Sequence, residues 1–486
     1  MYAQLWRREV HRSWGLCSLS VGLIIGLATS RAITFHPGTE TIVIALAVLV
    51  LILLIRVKIA TLVVIVALAT IIGIIRGNFV HDQLTRTASL TGQIKQINGI
   101  IAEDPQISVR GDLRIIMSNL VIDAVSYKGS LWTSGAKGEY KRGDTIVVEG
   151  TLSDGFATHQ LSMYRPKISS VMRQNDPVIS FRDSFAAAVR RGVIEPAASL
   201  GIGFVIGQKS ALPPELEEQL RIVGLTHLVV ASGYNLTILI RFAKRLFEKY
   251  SRFLVNASSI SMITGFVMIS GASPSMVRAS LVSGLSLIVW NYGRTIHPVF
   301  LIIFVAAATA TYQPNYLWVD LGWWLSFLAF FGVLVISPLS ITFVMKFKKM
   351  HKEKPSSIMQ LVSETIAAQI MTLPIVLYTF GLLPVTALIA NMITAPIIPL
   401  AMAVTAVAGL GSMVLPGLAG IIALPATILL SYFVAIVRTL SRFPWAIQEF
   451  TIPLPVMVGI YLGIVALVGA VWYILRYNFR QQSIID

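Results

Sequence analysis

The chain has 486 residues, of which 55% are hydrophobic and only 13% charged, with a mean hydropathy of +0.75. A water-soluble protein carries about 25% charged residues and its cores stop growing near ~250–300 residues, so lipid must be the solvent for most of this chain. A lone cysteine, Cys17, excludes an internal disulfide framework and a Cys-rich zinc site, and the seven histidines form no HxH or HExxH pair.

Apolar runs at 14–35, 41–55 and 59–75 read as spans, each crossing ~30 Å of hydrocarbon with about 20 residues. From residue 77 the character changes. Gln93-Ile94-Lys95-Gln96-Ile97, Leu113-Arg114-Ile115-Ile116-Met117 and Thr145-Ile146-Val147-Val148-Glu149 alternate with period two between Gly, Asp and Asn turns, predicting a small all-β barrel or sandwich over 77–180. Residues 181–194 then predict an amphipathic helix on the membrane surface. Phe185, Ala188, Val189 and Val193 lie on one face and Arg182, Arg190 and Arg191 opposite. Residues 197–207 are apolar but too short to span. Pro213-Pro214 and a first turn rich in Glu215, Glu217 and Glu218 follow, which together predict a re-entrant element over 181–223.

Nine further spans are expected in 224–486, at 224–240, 253–270, 272–290, 296–312, 320–338, 358–380, 382–406, 415–437 and 453–475. The expected fold is thus a polytopic all-α bundle of about twelve crossings with an inserted all-β domain. The charge of +16 invites a nucleic-acid reading, yet about +14 of it lies in six short clusters at alternate loops, as the positive-inside rule requires. Residues 77–195 hold 14 basic and 12 acidic side chains, so they form no cationic surface. This placement puts both termini in the cytoplasm and the β domain outside, with Arg438 and Arg442 as exceptions.

Polar residues inside spans are the candidate site, because each costs about 3 kcal/mol at the bilayer centre unless paired or wetted. Arg278 either snorkels, pairs with an acid such as Asp320, or lines a pore. On a continuous helix His227, Ala231 or Ser232, and Asn235 recur at i, i+4/5 and i+8 and so share one face beside Gly233, which either is wet or bonds a neighbouring helix. Ser232 as a nucleophile with His227 as base is opposed by the ~140° that separates residues five apart. Glu364 heads another span. Gln208 and Lys209 form a mouth or plain interfacial polarity. Pro374, Pro396 and Pro399 near Asn391 mark either packing kinks or broken helices along a path. Tyr316, Trp318, Trp323 and Trp324 read as an interfacial belt, base stacking being the alternative. No P-loop or GxGxxG fingerprint occurs, and no cofactor is expected.

Several of these segments, in order, resemble the ComEC competence-protein family. Gly224-Leu225-Thr226-His227-Leu228-Val229-Val230-Ala231-Ser232-Gly233 is similar to its characteristic helix. Ser273-Pro274-Ser275-Met276-Val277-Arg278-Ala279, Asp320-Leu321-Gly322-Trp323-Trp324-Leu325-Ser326-Phe327, Gln369-Ile370-Met371-Thr372-Leu373-Pro374 and Ala390-Asn391-Met392-Ile393-Thr394-Ala395-Pro396 resemble its later elements. Arg142-Gly143-Asp144-Thr145-Ile146-Val147-Val148-Glu149-Gly150 resembles a strand of its OB-like extracytoplasmic domain.

The resemblance implies a channel that passes one strand of transforming DNA into the cytosol while the other is degraded outside. His227, Ser232, Gly233, Asn235, Arg278, Asp320, Gln369 and Asn391 are its candidate path. Implied partners are membrane lipid, a DNA receptor or pilus machinery and a separate nuclease outside, and an ATP-dependent helicase or translocase with single-strand-binding proteins in the cytosol. Two departures stand out. Asn235 occupies the family's usual second His, and no HxHxDH nuclease motif occurs before Asp486, which leaves strand degradation to another protein. The rival readings are an intramembrane hydrolase built on His227, Ser232 and Asp320, and a small-solute transporter, which would show an inverted repeat. Oligomeric state is open.

Overall fold

The computed structural model describes residues 11–34, 59–107, 111–173, 176–208, 212–229, 233–247, 249–292, 296–347 and 355–477. These belong to two compact units, one of residues 1–106, 111–174 and 299–324, the other of 107–110, 175–298 and 325–486. The expected span at 41–55 lies outside the described residues.

In the first unit, helices α1 (Arg12–Thr29) and α2 (Ile59–Ala88) meet backbone to backbone. Small residues recur every fourth position on both, Gly22, Gly26 and Ser30 facing Ala69, Gly73 and Gly77. A Cβ on Gly73 would stand 2.6 Å from the Leu23 carbonyl oxygen, and one on Gly22 2.5 Å from that of Val66. In lipid, where apolar surface gains nothing by leaving solvent, such close approach supplies the dispersion that holds helices together. Residues 77–88, expected to open the β domain, are instead the polar end of α2, because Asn78, His81, Asp82, Gln83 and Arg86 lack the alternation a strand needs. Thr87 Oγ1 donates to the Lys128 carbonyl (2.9 Å), tying the helix end to the sheet.

Among the described residues, strands β1 (Ile94–Ile101), β2 (Leu113–Ile122), β3 (Leu131–Ala136), β4 (Thr145–Asp154) and β5 (Leu161–Tyr164) pair in the order β1-β2-β3-β5-β4. β4 pairs back to β1, closing the circuit into a barrel. Every pairing in it is antiparallel except β3 with β5, parallel from Leu131–Leu161 to Ser134–Tyr164. The alternation read at 113–117 and 145–149 is realised, since Ile115, Met117, Ile146 and Val148 point inward with Leu131, Leu161 and Met163, whereas in 93–97 Ile97 points inward and Ile94 is exposed. Closure leaves the five strands without an open edge.

Elsewhere in this unit Arg31 lies over the Trp318 ring (5.0 Å) and donates to Asn315 Oδ1 (2.8 Å). Arg76 donates to the Thr311 and Tyr312 carbonyls at the end of the helix Pro298–Tyr312, which satisfies groups that a helix C-terminus leaves open. The expected aromatic belt needs one correction. Trp318 and Trp324 are exposed, but Trp323 is buried with its indole donating to Thr309 Oγ1 (3.1 Å), a core residue of the unit.

The second unit opens with α3 (Pro177–Gly192), amphipathic as expected, its Phe185 ring seated over Gly409. Arg182, read onto the outer face, is buried beside Asp183 (3.8 Å). The short apolar helix α4 (Ala197–Ile206) has nine of its ten residues buried, so protein encloses the segment that is too short to span. α5 (Pro214–Ile222) carries Glu215 and Glu217 in its first turn. Of the expected span at 224–240, entered through Gly224 in a left-handed conformation (φ +71°), the described residues form α6 (Thr226–Val229) and α7 (Gly233–Phe247), and 230–232 lie outside the described residues.

There follow α8 (Arg252–Ser270), α9 (Pro274–Asn291) and α10 (Leu321–Phe347), the last belonging to this unit from Leu325 on and containing a π-helical turn at Gly332–Ile336. α11 (Ser357–Phe380), α12 (Ala387–Thr394), α13 (Ile398–Val414), α14 (Leu424–Ser441) and α15 (Leu454–Leu475) complete the unit. α12 and α13 are bent by 53°, which breaks the expected span at 382–406 where Pro396 and Pro399 withdraw backbone donors.

Six helices among the described residues, α2, α8, α10, α11, α14 and α15, are long and apolar enough to cross a membrane, or seven if α12 and α13 form one span. The expected twelve crossings are thus not confirmed by the described residues, in which three further apolar helices, Ser13–Thr29, Ala197–Ile206 and Pro298–Tyr312, have 10–17 residues.

Candidate functional site

Polar side chains of the second unit converge on α7. Asn235 is wholly buried and its Nδ2 donates to the Phe204 carbonyl at 3.3 Å, in the last turn of α4 where carbonyls have no helical partner. Tyr234 donates its hydroxyl to the Ala395 carbonyl at 3.1 Å. In a continuous helix that carbonyl would accept from the N–H of residue 399, which is a proline and has none. α7 thus supplies two donors to two broken helix ends. A Cβ on Gly233 would meet Ala279 at 3.2 Å and the Phe330 ring at 3.7 Å, so α7, α9 and α10 approach one another at this glycine. Arg278, adjacent to Ala279, is only 2% exposed and donates to Ser326 Oγ at 3.2 Å.

The expected residues are therefore placed unequally. Gly233, Asn235 and Arg278 gather where α7 meets its neighbours. His227 is exposed in α6 while Asn235 is buried in α7, so the two have different surroundings. Gln369 is half-buried on α11 and Asn391 buried on α12. Asp320 belongs to the first unit, and Ser232 and Lys209 lie outside the described residues. Glu364, half-buried on α11, feels the charge of Arg241 on α7.

The barrel holds a cluster that sequence reasoning passed over. Trp132 meets Phe156 edge to face at 4.9 Å and Tyr164 at 5.4 Å, and Phe156 meets His159 at 5.8 Å. Phe156 and Tyr164 are exposed. Register sets Arg114, Ser134 and Tyr164 side by side across β2, β3 and β5, with Ile116, Trp132 and Ser162 in another row. Arg165 packs along Gly135 at the rim. The available signal was Trp132 itself, an aromatic on the outward phase of Leu131-Trp132-Thr133-Ser134, where a small polar residue is the usual occupant.

His159 shares a hydrogen bond between its Nδ1 and Ser130 Oγ (2.9 Å), and burial holds its pKa below the usual 6.5. The unfolded chain takes up this proton first as pH falls, so the neutral imidazole stabilises the barrel above about 6.5 and that contribution is lost below it. Melting of the full-length protein followed at pH 7.5 and pH 5.5 is expected to show the barrel transition falling at the lower pH. His159→Gln is expected to shrink the fall, and an equal fall in both proteins would assign it to other groups.

A family model described as Competence protein matches residues 204–476, more than half of the chain. The chain belongs to the competence protein family. The match begins at Phe204, whose carbonyl Asn235 holds, and takes in α6 through α15, so the convergence on α7 lies within the competence region and the barrel outside it. ComE operon protein 3 of Bacillus subtilis (strain 168) is 25% identical over 241 residues, 48% of this competence protein and 28% of that relative's length. No solved structure matches.

Proposed function

We propose that this competence protein is a multi-pass cell-membrane channel that admits one strand of DNA to the cytosol during transformation, with its barrel outside as an OB fold. The observation that carries this reading is the family match over the helical region. The barrel supports it independently. Its five-strand order with one parallel pair is that of an OB fold, a fold whose strand 2–3 face and 4–5 loop bind oligonucleotides. Trp132, Tyr164 and Phe156 occupy that region between Arg114 and Arg165, the combination of stacking surface and sparse cations that single strands require.

Passage through the bundle calls for donors that release a phosphate chain readily, and Gly233, Asn235 and Arg278 with His227 are the groups proposed near the path. Chemistry on the DNA belongs to a separate nuclease, and driving force to a cytosolic ATP-dependent translocase with single-strand-binding proteins. The protein needs no cofactor of its own. Cells lacking it are expected to admit no labelled DNA to the cytosol, and normal entry in the deletion strain would overturn the reading. With full-length protein in nanodiscs, Trp132→Ala is expected to weaken binding of a single-stranded oligonucleotide roughly 5- to 150-fold, the worth of about 1–3 kcal/mol for one stacked base. Arg114→Ala should reduce the salt slope by about 0.7.

A further inference from the structure

Helices α8 and α9 form a hairpin with an open apolar groove of about 270 Å³ between them, walled by Ile260, Ile263 and Val267 on one side and Val277, Leu281 and Ile288 on the other. Ile260, Val277, Leu281 and Ile288 are each 37–46% exposed, and Gly284 in its floor has no neighbouring atom within 4 Å of where a Cβ would stand. α8 is long and apolar enough to cross a bilayer, so this groove runs at hydrocarbon depth.

Toward the open end of the hairpin the chemistry turns polar and then cationic. Asn256 donates to Asn291 Oδ1 at 2.6 Å, while Asn256 Oδ1 and Ser259 Oγ are buried with no hydrogen-bond partner. Four residues before Asn256, about 6 Å along the axis, Arg252 is exposed with its guanidinium over the Trp290 ring (5.8 Å). Residues 241–252 carry five Lys or Arg against one acid, and Arg241, Arg245 and Lys249 are exposed with Arg252. Arg252 thus marks the end of the span, with the groove starting about 12 Å deeper at Ile260.

An apolar slot at chain depth that ends in a polar seam, a tryptophan and a group of cations is complementary to one molecule class: a diacyl lipid with a negative headgroup. A soluble apolar ligand has no use for the cations, and a phosphate alone has no use for the slot. We propose that the α8–α9 groove is a binding site for an anionic phospholipid, with one acyl chain between the helices and the phosphate against Arg252. This rests on membrane residence alone and does not depend on DNA import.

The test uses the purified full-length protein in detergent, titrated with phosphatidylglycerol or with phosphatidylcholine of the same chains and read by native mass spectrometry. Wild type is expected to retain phosphatidylglycerol at least roughly five-fold more tightly, the worth of one arginine near a charged headgroup. Arg252→Glu should abolish that preference. Gly284→Phe, whose ring enters open space, should abolish retention at this site for both lipids, and Ile288→Trp serves if that variant does not fold. A photo-reactive residue at Leu281 should cross-link lipid. Equal retention of the two lipids by wild type, an unchanged preference in Arg252→Glu, or a cross-link at Leu281 to a second copy of the chain would each overturn the proposal. So would displacement of the lipid by a short oligonucleotide or by glycerol phosphate alone.

Discussion

Leucine in place of Gly26 is expected to separate α1 from α2 and destabilise the protein by about 3 kcal/mol or more, the upper range for overpacking. The new Cβ would lie on the Thr70 backbone, 2.8 Å from its carbonyl carbon, and backbone cannot rotate aside as a side chain does. Shifting α2 instead would break the matching approaches at Gly22, Gly73 and Gly77 and would drag the Thr87–Lys128 link to the barrel. Thermal unfolding in detergent measures the loss. Gly459→Leu on α15 is the control, since no atom lies within 4 Å of a Cβ there, and it should leave the transition where it was. Equal melting of Gly26→Leu and wild type would mean that the two helices are not held by backbone contact.

Asn235→Asp carries the second large effect. The amide is wholly buried and its donor faces a carbonyl at the C-terminal end of α4, the negative end of that helix. A carboxylate there removes the donor and sets like partial charges together. Leaving a charge buried without a partner costs about 3–5 kcal/mol, so folded protein and transformation should both be lost. Asn235→His restores a ring N–H and matches the residue usual in the family, and it should keep both. If Asp serves as well as Asn, the link from α7 to α4 is not what holds the short helix in place.

Legibility followed the range of the interaction. Local patterns were readable: the three alternating runs became β1, β2 and β4, the acidic first turn became α5, and the apolar stretches at 253–270, 358–380 and 453–475 became α8, α11 and α15 within a residue or so. The proline breaks near Asn391 were visible too, but not that Tyr234, from 161 positions away, replaces the donor Pro399 lacks. Asn235 was legible as a polar position near His227, but not that its amide serves the Phe204 carbonyl, 31 positions away. The paired glycines of α1 and α2 were printed in the sequence at four-residue spacing, yet nothing local says which helix they face. Residues 77–88 misled because a polar helix beyond the membrane resembles neither a span nor a loop until its neighbours are known.

The length of α2 sets a working distance. Thirty residues at 1.5 Å each make a rod of about 45 Å, of which the last twelve, beyond Arg76, rise about 18 Å past the apolar stretch. Headgroups occupy only about 5–8 Å on each side of the hydrocarbon, so with the proposed outside placement and α2 along the bilayer normal the barrel would stand roughly 10 Å clear of them. That margin exceeds the ~8 Å over which physiological salt screens a surface charge. On the proposed function, a polyanion held at Trp132 and Tyr164 would therefore be shielded from the repulsion of acidic lipids, and shortening the rod by two turns would bring the two negative surfaces into each other's field.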